Sequence, residues 1–174
     1  MFQGFTGEHR QKVDGKARVL VPLAFRRQLE EGDPGRNEPR CRAVLVYGDD
    51  RRRFVECYPI AGYETLKSRI RDLQAGSLQR RALERQMISR AATVELDEDG
   101  RLVLPQQVRD KLGLDPDRIK AGPDLVLAGT LDTFQIWTHA EYEADLAAQE
   151  EELARLDALA GGADILSLLP PVQG

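Results

Sequence analysis

VDGKARVLVPLAFRRQL, residues 13–29, and LDEDGRLVLPQQVRDKL, residues 96–112, are two versions of one template. At a constant offset of 83, Asp14 matches Asp97, Arg18 matches Arg101, Pro22 matches Pro105, Arg26 matches Arg109 and Leu29 matches Leu112. Apolar positions keep the same register: Val13 with Leu96, Val19 with Leu102, Leu20 with Val103, Val21 with Leu104. Similarity resumes downstream at a slightly smaller offset. Phe54-Val55-Glu56-Cys57-Tyr58 parallels Phe134-Gln135-Ile136-Trp137-Thr138, and Tyr63-Glu64 parallels Tyr142-Glu143. Self-similarity at a fixed period marks a duplicated unit, here about 80 residues long. Each copy reads as strands, a short helix, more strands and a longer helix.

The second copy shows the physics plainly. Thr93-Val94-Glu95-Leu96 alternates polar and apolar positions, as a half-buried strand requires. Asp97-Glu98-Asp99-Gly100 reads as a turn, with Gly100 free to take positive φ. Arg101-Leu102-Val103-Leu104 is the return strand, with Leu102 and Leu104 on one face and Arg101 and Val103 on the other. Pro105 stops a strand and suits the first turn of a helix. Val108 and Leu112 fall on one face of that helix, and Gly113 supplies its C-terminal cap. The first copy repeats the plan, with Phe25 and Leu29 on the buried face.

Chemistry by catalysis or metal is poorly supplied. Cys41 and Cys57 stand in β-like runs with no secretory context, so a reduced pair is expected. They form no Cys/His grouping that would hold zinc, and His9 and His139 lie far apart. The serines (Ser68, Ser77, Ser89, Ser167) sit in no nucleophile elbow. Gly15-Lys16 is followed by Ala17 and lacks the phosphate-loop spacing. These readings predict no enzyme, no cofactor, no metal and no small-molecule substrate. No apolar run approaches the roughly 18–20 residues of a membrane span, and the first residues lack a signal pattern, so neither membrane nor secretion is expected.

The 174-residue chain carries 25 Lys plus Arg against 29 Asp plus Glu, a net −4 with a pI near 5.3. That average hides a polarity. Residues 1–90 net +7 and residues 91–174 net −11. The two turns differ in the same sense: residues 10–18 net +3, residues 93–101 net −3. In each copy Asp and Arg stand four apart across a turn. The pair either merely fixes the turn, the carboxylate holding the guanidinium or the turn amides, or presents basic side chains to phosphates. By charge the first turn suits nucleic acid and the second does not, unless Arg101 projects beyond its acidic neighbours.

Residues 31–40, EGDPGRNEPR, read as a loop. Asp49-Asp50-Arg51-Arg52-Arg53 reads as a hairpin tip between strands at 43–47 and 54–58, solvated or touching phosphates. Residues 61–90 read as helical, with Leu66, Ile70 and Leu73 on one face and a break near Gly76. Leu83, Met87 and Ile88 mark a second stretch, whose Arg80, Arg81, Arg85 and Arg90 suit a solvated or subunit-facing side. Residues 139–160 form the longest helix candidate, with Tyr142, Leu146, Leu153 and Leu156 at helical intervals, ended by Gly161-Gly162. The tail with Pro170-Pro171 is expected to be mobile unless a partner docks it.

With these residues in view, the chain resembles the MraZ family of bacterial transcriptional regulators, built from two tandem SpoVT-AbrB-type repeats. The resemblance covers nearly the whole chain. Met1-Phe2-x-Gly4 resembles the family's start. Asp14-x-Lys16-x-Arg18 with Val21-Pro22 resembles the first motif, and Asp97-x-x-Gly100-Arg101 with Pro105 the second. Cys57-Tyr58-Pro59 with Tyr63-Glu64, the inter-repeat Arg80-Arg81 and Arg85, and Phe134-Gln135-Ile136-Trp137 complete the match. One departure concerns Ala17, where the family has Gly. Positive φ would strain an alanine there, so Gly15 is expected to take over the permissive position.

The resemblance implies an α+β fold: two pseudo-symmetric repeats forming a swapped-hairpin β-barrel with flanking helices. The divisions are then 5–60 for the first repeat, 61–90 for inter-repeat helices, 91–137 for the second repeat, 138–160 for a C-terminal helix and 161–174 for the tail. It also implies ring-like homo-oligomers, in a cytoplasmic, nucleoid-associated protein. The DNA bound would be short repeated boxes upstream of the division and cell-wall gene cluster, including the protein's own promoter. The leading function is therefore sequence-specific binding of double-stranded DNA. Lys12, Lys16 and Arg18 are the main contacts, Arg10 flanks them and Arg101 is the second repeat's contribution. Lysines would meet phosphates and Arg18 a base edge, while Asp14 and Asp97 orient their arginines. Arg26 and Arg109 suit packing or intersubunit pairing. The alternative is an antitoxin-like interaction scaffold that uses the acidic C-terminal helix.

Overall fold

The computed structural model describes residues 3–156 and 161–174. Met1, Phe2 and residues 157–160 lie outside it, and with them the Met1-Phe2 start and the end of the 139–160 helix candidate. The described residues up to His139 form one compact unit, and those from Ala140 onward form another.

In the first unit, β1 (Glu8–Lys12) leads through a turn to β2 (Arg18–Leu20) and α1 (Leu23–Glu31). β3 (Arg42–Val46) and β4 (Val55–Pro59) follow, then α2 (Ile60–Arg71), α3 (Leu78–Leu83) and a π-helical turn at Glu84–Ser89. The order then recurs: β5 (Ala91–Glu95), β6 (Arg101–Val103), α4 (Gln106–Lys111), β7 (Asp124–Gly129) and β8 (Phe134–Thr138). A further short helix, α5 (Pro116–Lys120), stands between α4 and β7, capped by the Asp115 carboxylate accepting from Arg118 N. α6 (His139–Ala154) begins at the end of β8.

Among the described residues, six strands form one antiparallel sheet in the order β1-β7-β8-β4-β3-β5, and β2 pairs with β6 in a separate ribbon. The mixed helix-and-strand class is as expected, but the sheet is not closed into a barrel: β1 and β5 are its free edges. The reason is chain length between stops. After the turn at 14–17, β2 runs only three residues before the Val21-Pro22 step, and after Gly100, β6 runs only three before the Leu104-Pro105 step. Proline ends the ladder, so neither segment reaches far enough to join the two sheet edges.

Strand composition sorts with position. β3 and β7 lie inside the sheet and are almost wholly buried, whereas edge strand β1, EHRQK, alternates exposed and half-buried residues. A charged edge discourages pairing with other chains. The main core joins Phe5, Phe25 and Phe134, whose ring centroids lie 4.9–5.4 Å apart, with Val13, Val19, Leu29, Leu96, Leu102 and Leu104 around them. On another face, Val44, Val46 and Tyr63 pack with Leu66, Met87 and Ile88.

The expected helical region 61–90 is thus three pieces. Gly76 takes φ +78° in the break, and the Ser77 hydroxyl caps α3 by accepting from Arg80 N. Leu83 is exposed. The loop after α1 hides a polar tether that its composition concealed. Asp33, with no side-chain exposure, accepts bonds from Arg42 N at 2.9 Å, Nε at 3.1 Å and Nη2 at 2.6 Å. Those bonds hold the Asp33 carboxyl below its ordinary range against the opposing cost of burial. Cys41 and Cys57 are free and buried, and burial pushes both thiols up, Cys41 to about 11.

The helix α6 shows no buried residues, and in the second unit a 3₁₀ turn at Ile165–Leu168 starts at Asp164, whose carboxylate accepts from Leu166 N.

Candidate nucleic-acid interface

The first turn is built by Asp14. Its Oδ1 accepts from Lys16 N and Arg18 N, both at 2.9 Å, and its Oδ2 accepts from Arg18 Nε at 2.8 Å. One carboxylate therefore closes the turn and holds the guanidinium. The Arg18 amide is the chief cause of the lowered Asp14 carboxyl. Backbone bonds from Asp14 N to Arg18 O and from Ala17 N to Asp14 O complete the turn.

The left-handed residue of this turn is Ala17 itself, at φ +58°, and Gly15 does not take that role. The reason is register. The two turn bonds fix the residue before the arginine as the one that must reverse, and Gly100, at φ +79°, fills the same place before Arg101. An L-residue there costs about 1 kcal/mol or more; Ala17 is also buried, so its methyl contributes packing.

The second turn repeats the backbone and changes the side chains. Asp97 Oδ1 accepts from Asp99 N and Arg101 N, both at 2.9 Å. Its carboxylate orients the Arg101 amide but makes no bond to the guanidinium among the described residues. Arg101 Nη2 instead lies 3.7 Å from Asp99 Oδ2. Only half of the orienting role expected of Asp97 is present.

Arg10 and Lys12 share a face of β1 by strand periodicity. Asp124, the cross-strand partner of Lys12 on β7, clasps both: Arg10 donates through Nε at 2.9 Å and Nη2 at 2.8 Å, and Lys12 Nζ stands 3.7 Å away. Lys12 Nζ also donates to Gly122 O at 3.0 Å. The Arg10 bond chiefly lowers the Asp124 carboxyl. Sequence reasoning missed Asp124 because its contacts cross more than 100 positions; only its place before the apolar run Leu125–Ala128 hinted at a strand start. Lys16 is exposed at the turn and has no ion pair among the described residues.

Arg18 and Arg101 come together on the β2–β6 ribbon. Arg18 stands opposite Val103, and Leu20 opposite Arg101. Each end of the ribbon abuts the other copy's turn: Val21 N donates to Gly100 O, and Leu104 N donates to Ala17 O. Arg26 of α1 lies over Gly100, where any side chain would meet its guanidinium, and it pairs loosely with Glu30 at 3.9 Å. Arg109 keeps its Nε buried without a partner among the described residues.

The hairpin tip is largely committed to itself. Arg51 bonds Asp49 in bidentate fashion and holds that carboxyl down at about 2. Arg52 bonds Glu56 at 2.6 Å and covers the Phe54 ring. Of the three arginines only Arg53 is exposed with no partner among the described residues.

Comparison with known proteins adds to this geometry. A protein of Cereibacter sphaeroides (strain ATCC 17029 / ATH 2.4.9), named transcriptional regulator MraZ, is 53% identical over 97% of each chain. The chain belongs to the MraZ family. A relative of the same name in Ruegeria pomeroyi is 41% identical over 90% of each chain. One in Roseiflexus castenholzii is 31% identical over 84% of this chain and 89% of its own. The family model for MraZ protein, with an antitoxin-like description, matches residues 87–160.

Proposed function

We propose that this MraZ-family chain is a transcriptional regulator that binds double-stranded DNA through its first turn. The carrying observation is that the Asp14 carboxylate is spent on the turn's own amides and on Arg18, leaving Lys16 exposed beside an oriented guanidinium. A lone carboxylate facing phosphate would repel it; here the paired Arg18 guanidinium offsets the Asp14 charge. The relatives' names, transcriptional regulator MraZ, support the class.

In this reading Lys16, Lys12 and Arg10 meet phosphates and Arg18 reaches a base edge. Arg101 contributes less, because four carboxylates, Glu95, Asp97, Glu98 and Asp99, stand near it in sequence. Asp14 and Asp97 position the turns. The two repeats, roughly 5–60 and 91–137, act as a pseudo-dimer joined by the inter-repeat helices 61–90 and followed by the C-terminal segment 138–160 and the tail 161–174. The strand order supports it: exchanging β1 with β5, β3 with β7 and β4 with β8 reverses the order and leaves it otherwise unchanged. A ring of such chains would meet successive promoter boxes of the division and cell-wall gene cluster by avidity, in the cytoplasm at the nucleoid.

Selection of bound duplexes from random DNA with the purified full chain tests this reading. Recovery of spaced repeats is the expected outcome. Affinity should fall by roughly 0.9 log unit per log unit of salt for each phosphate met. Recovery of no sequence, or a flat salt response, favours the antitoxin-like scaffold instead.

A further inference from the structure

We propose that the outward face of the β2–β6 ribbon reads thymine methyl groups in the major groove through Leu20 and Val103. This rests on the DNA-binding reading above and adds to it a second kind of base contact. Strand pleating sends Val19 and Leu102 inward, where both are fully buried, and sends Arg18, Leu20, Arg101 and Val103 outward. Leu20 stays 45% exposed and Val103 54% exposed. The register seats each of these aliphatic chains opposite an arginine, Leu20 across from Arg101 and Val103 across from Arg18. The face is therefore a patch of two guanidinium groups and two branched hydrocarbons.

Few partners satisfy both halves of that patch. An apolar protein surface would strip water from two guanidinium groups and return no acceptor. A phosphate backbone alone would leave the aliphatic chains in water. The major groove offers both features on adjacent base edges: guanine N7 and O6 accept from arginine, and the thymine methyl is an apolar knob that meets aliphatic side chains. Its width, about 12 Å, admits a two-stranded ribbon. Three-residue strands suit that entry, and the Asp14 turn at one end holds the basic side chains where flanking phosphates run. Asp99 does not block the face, since its 3.7 Å pair with Arg101 is loose and exposed, and such pairs exchange readily.

A duplex selected by the wild-type full chain from a random library is resynthesised with deoxyuridine in place of thymidine, which removes only the C5 methyls. Wild-type affinity should drop about fourfold for each methyl contacted. The salt slope should stay unchanged, because no phosphate contact is lost. Leu20→Ala with Val103→Ala should bind the thymine duplex as weakly as wild type binds the uracil duplex, and should lose nothing more on the uracil duplex. Because the first comparison alters only DNA, it holds whether or not the double variant folds. Wild-type indifference to methyl removal overturns the inference, as does a selected site that carries no thymine in its repeats. A double variant that changes native mass while staying methyl-sensitive assigns the face to subunit packing and overturns it too. Failure to select any duplex is a different result: it removes the DNA-binding reading itself.

Discussion

The turns at 14–18 and 97–101 share a backbone and differ in almost everything attached to it. In both, an aspartate Oδ1 accepts two amides at 2.9 Å and a left-handed residue precedes the arginine. Yet Asp14 also grips Arg18, while Arg101 is left to Asp99 at 3.7 Å. The surroundings net +3 in one case and −3 in the other. The comparison separates two jobs. A carboxylate and a reversed residue are enough to make the turn, whatever its charge; charge then decides what the turn can meet.

The comparison breaks most directly at the arginines. Lys16→Ala with Arg18→Ala should reduce binding to a selected duplex by about 30-fold or more, since two contacts worth roughly 1–3 kcal/mol each are lost. Arg101→Ala should cost at least tenfold less, and gel-shift titration of both measures it. Equal losses would mean that the repeats share the work evenly.

The links after the two short helices give a second contrast. The first copy uses a loop tied by buried Asp33, and the second uses α5 with its Asp115 cap. Asp33→Ala should lower unfolding stability by about 2 kcal/mol, because it removes charge-assisted bonds and leaves Arg42 unmatched. The sign with pH follows from its lowered carboxyl. Wild-type stabilisation from Asp33 is present above the ordinary value of 3.8 and is lost as pH falls through the depressed value. The acid limb of a denaturant-midpoint profile should therefore be shallower in Asp33→Ala. A variant with unchanged acid dependence would show the tether to be idle.

The smallest effects sharpen the backbone argument. Gly100→Ala should destabilise by about 1–2 kcal/mol, from the positive φ and the displaced Arg26. Ala17→Gly should change stability by less than about 1 kcal/mol, relief of φ being offset by the lost buried methyl. Thermal unfolding of the pair reads both. A large loss in Ala17→Gly would show that the methyl matters more than the strain.

Much of the fold was legible where the signal is local. Alternation foretold β5 and β6, Pro22 and Pro105 sit where the short helices begin, and Gly113 at φ +66° ends α4. Phe25, Leu29, Val108 and Leu112 are buried as their helical spacing required. Ala17 was misread because composition ranks Gly15 as the permissive residue, whereas the turn's hydrogen bonds choose position. The Asp33 and Asp124 contacts were invisible: an exposed-looking acid in a loop carries no mark of the arginine that will cover it.

The sequence alone shows the recurring Asp-x3-Arg template and the uneven charge, because both are read directly from residue identities along the chain. Only the tertiary structure decided that the sheet stays open, that β2 pairs with β6, and that Arg18 and Arg101 share a face with Leu20 and Val103. Those outcomes join residues more than 80 positions apart. Which strands pair over that range depends on the edges that the rest of the fold leaves free, and strand preference itself changes with that context.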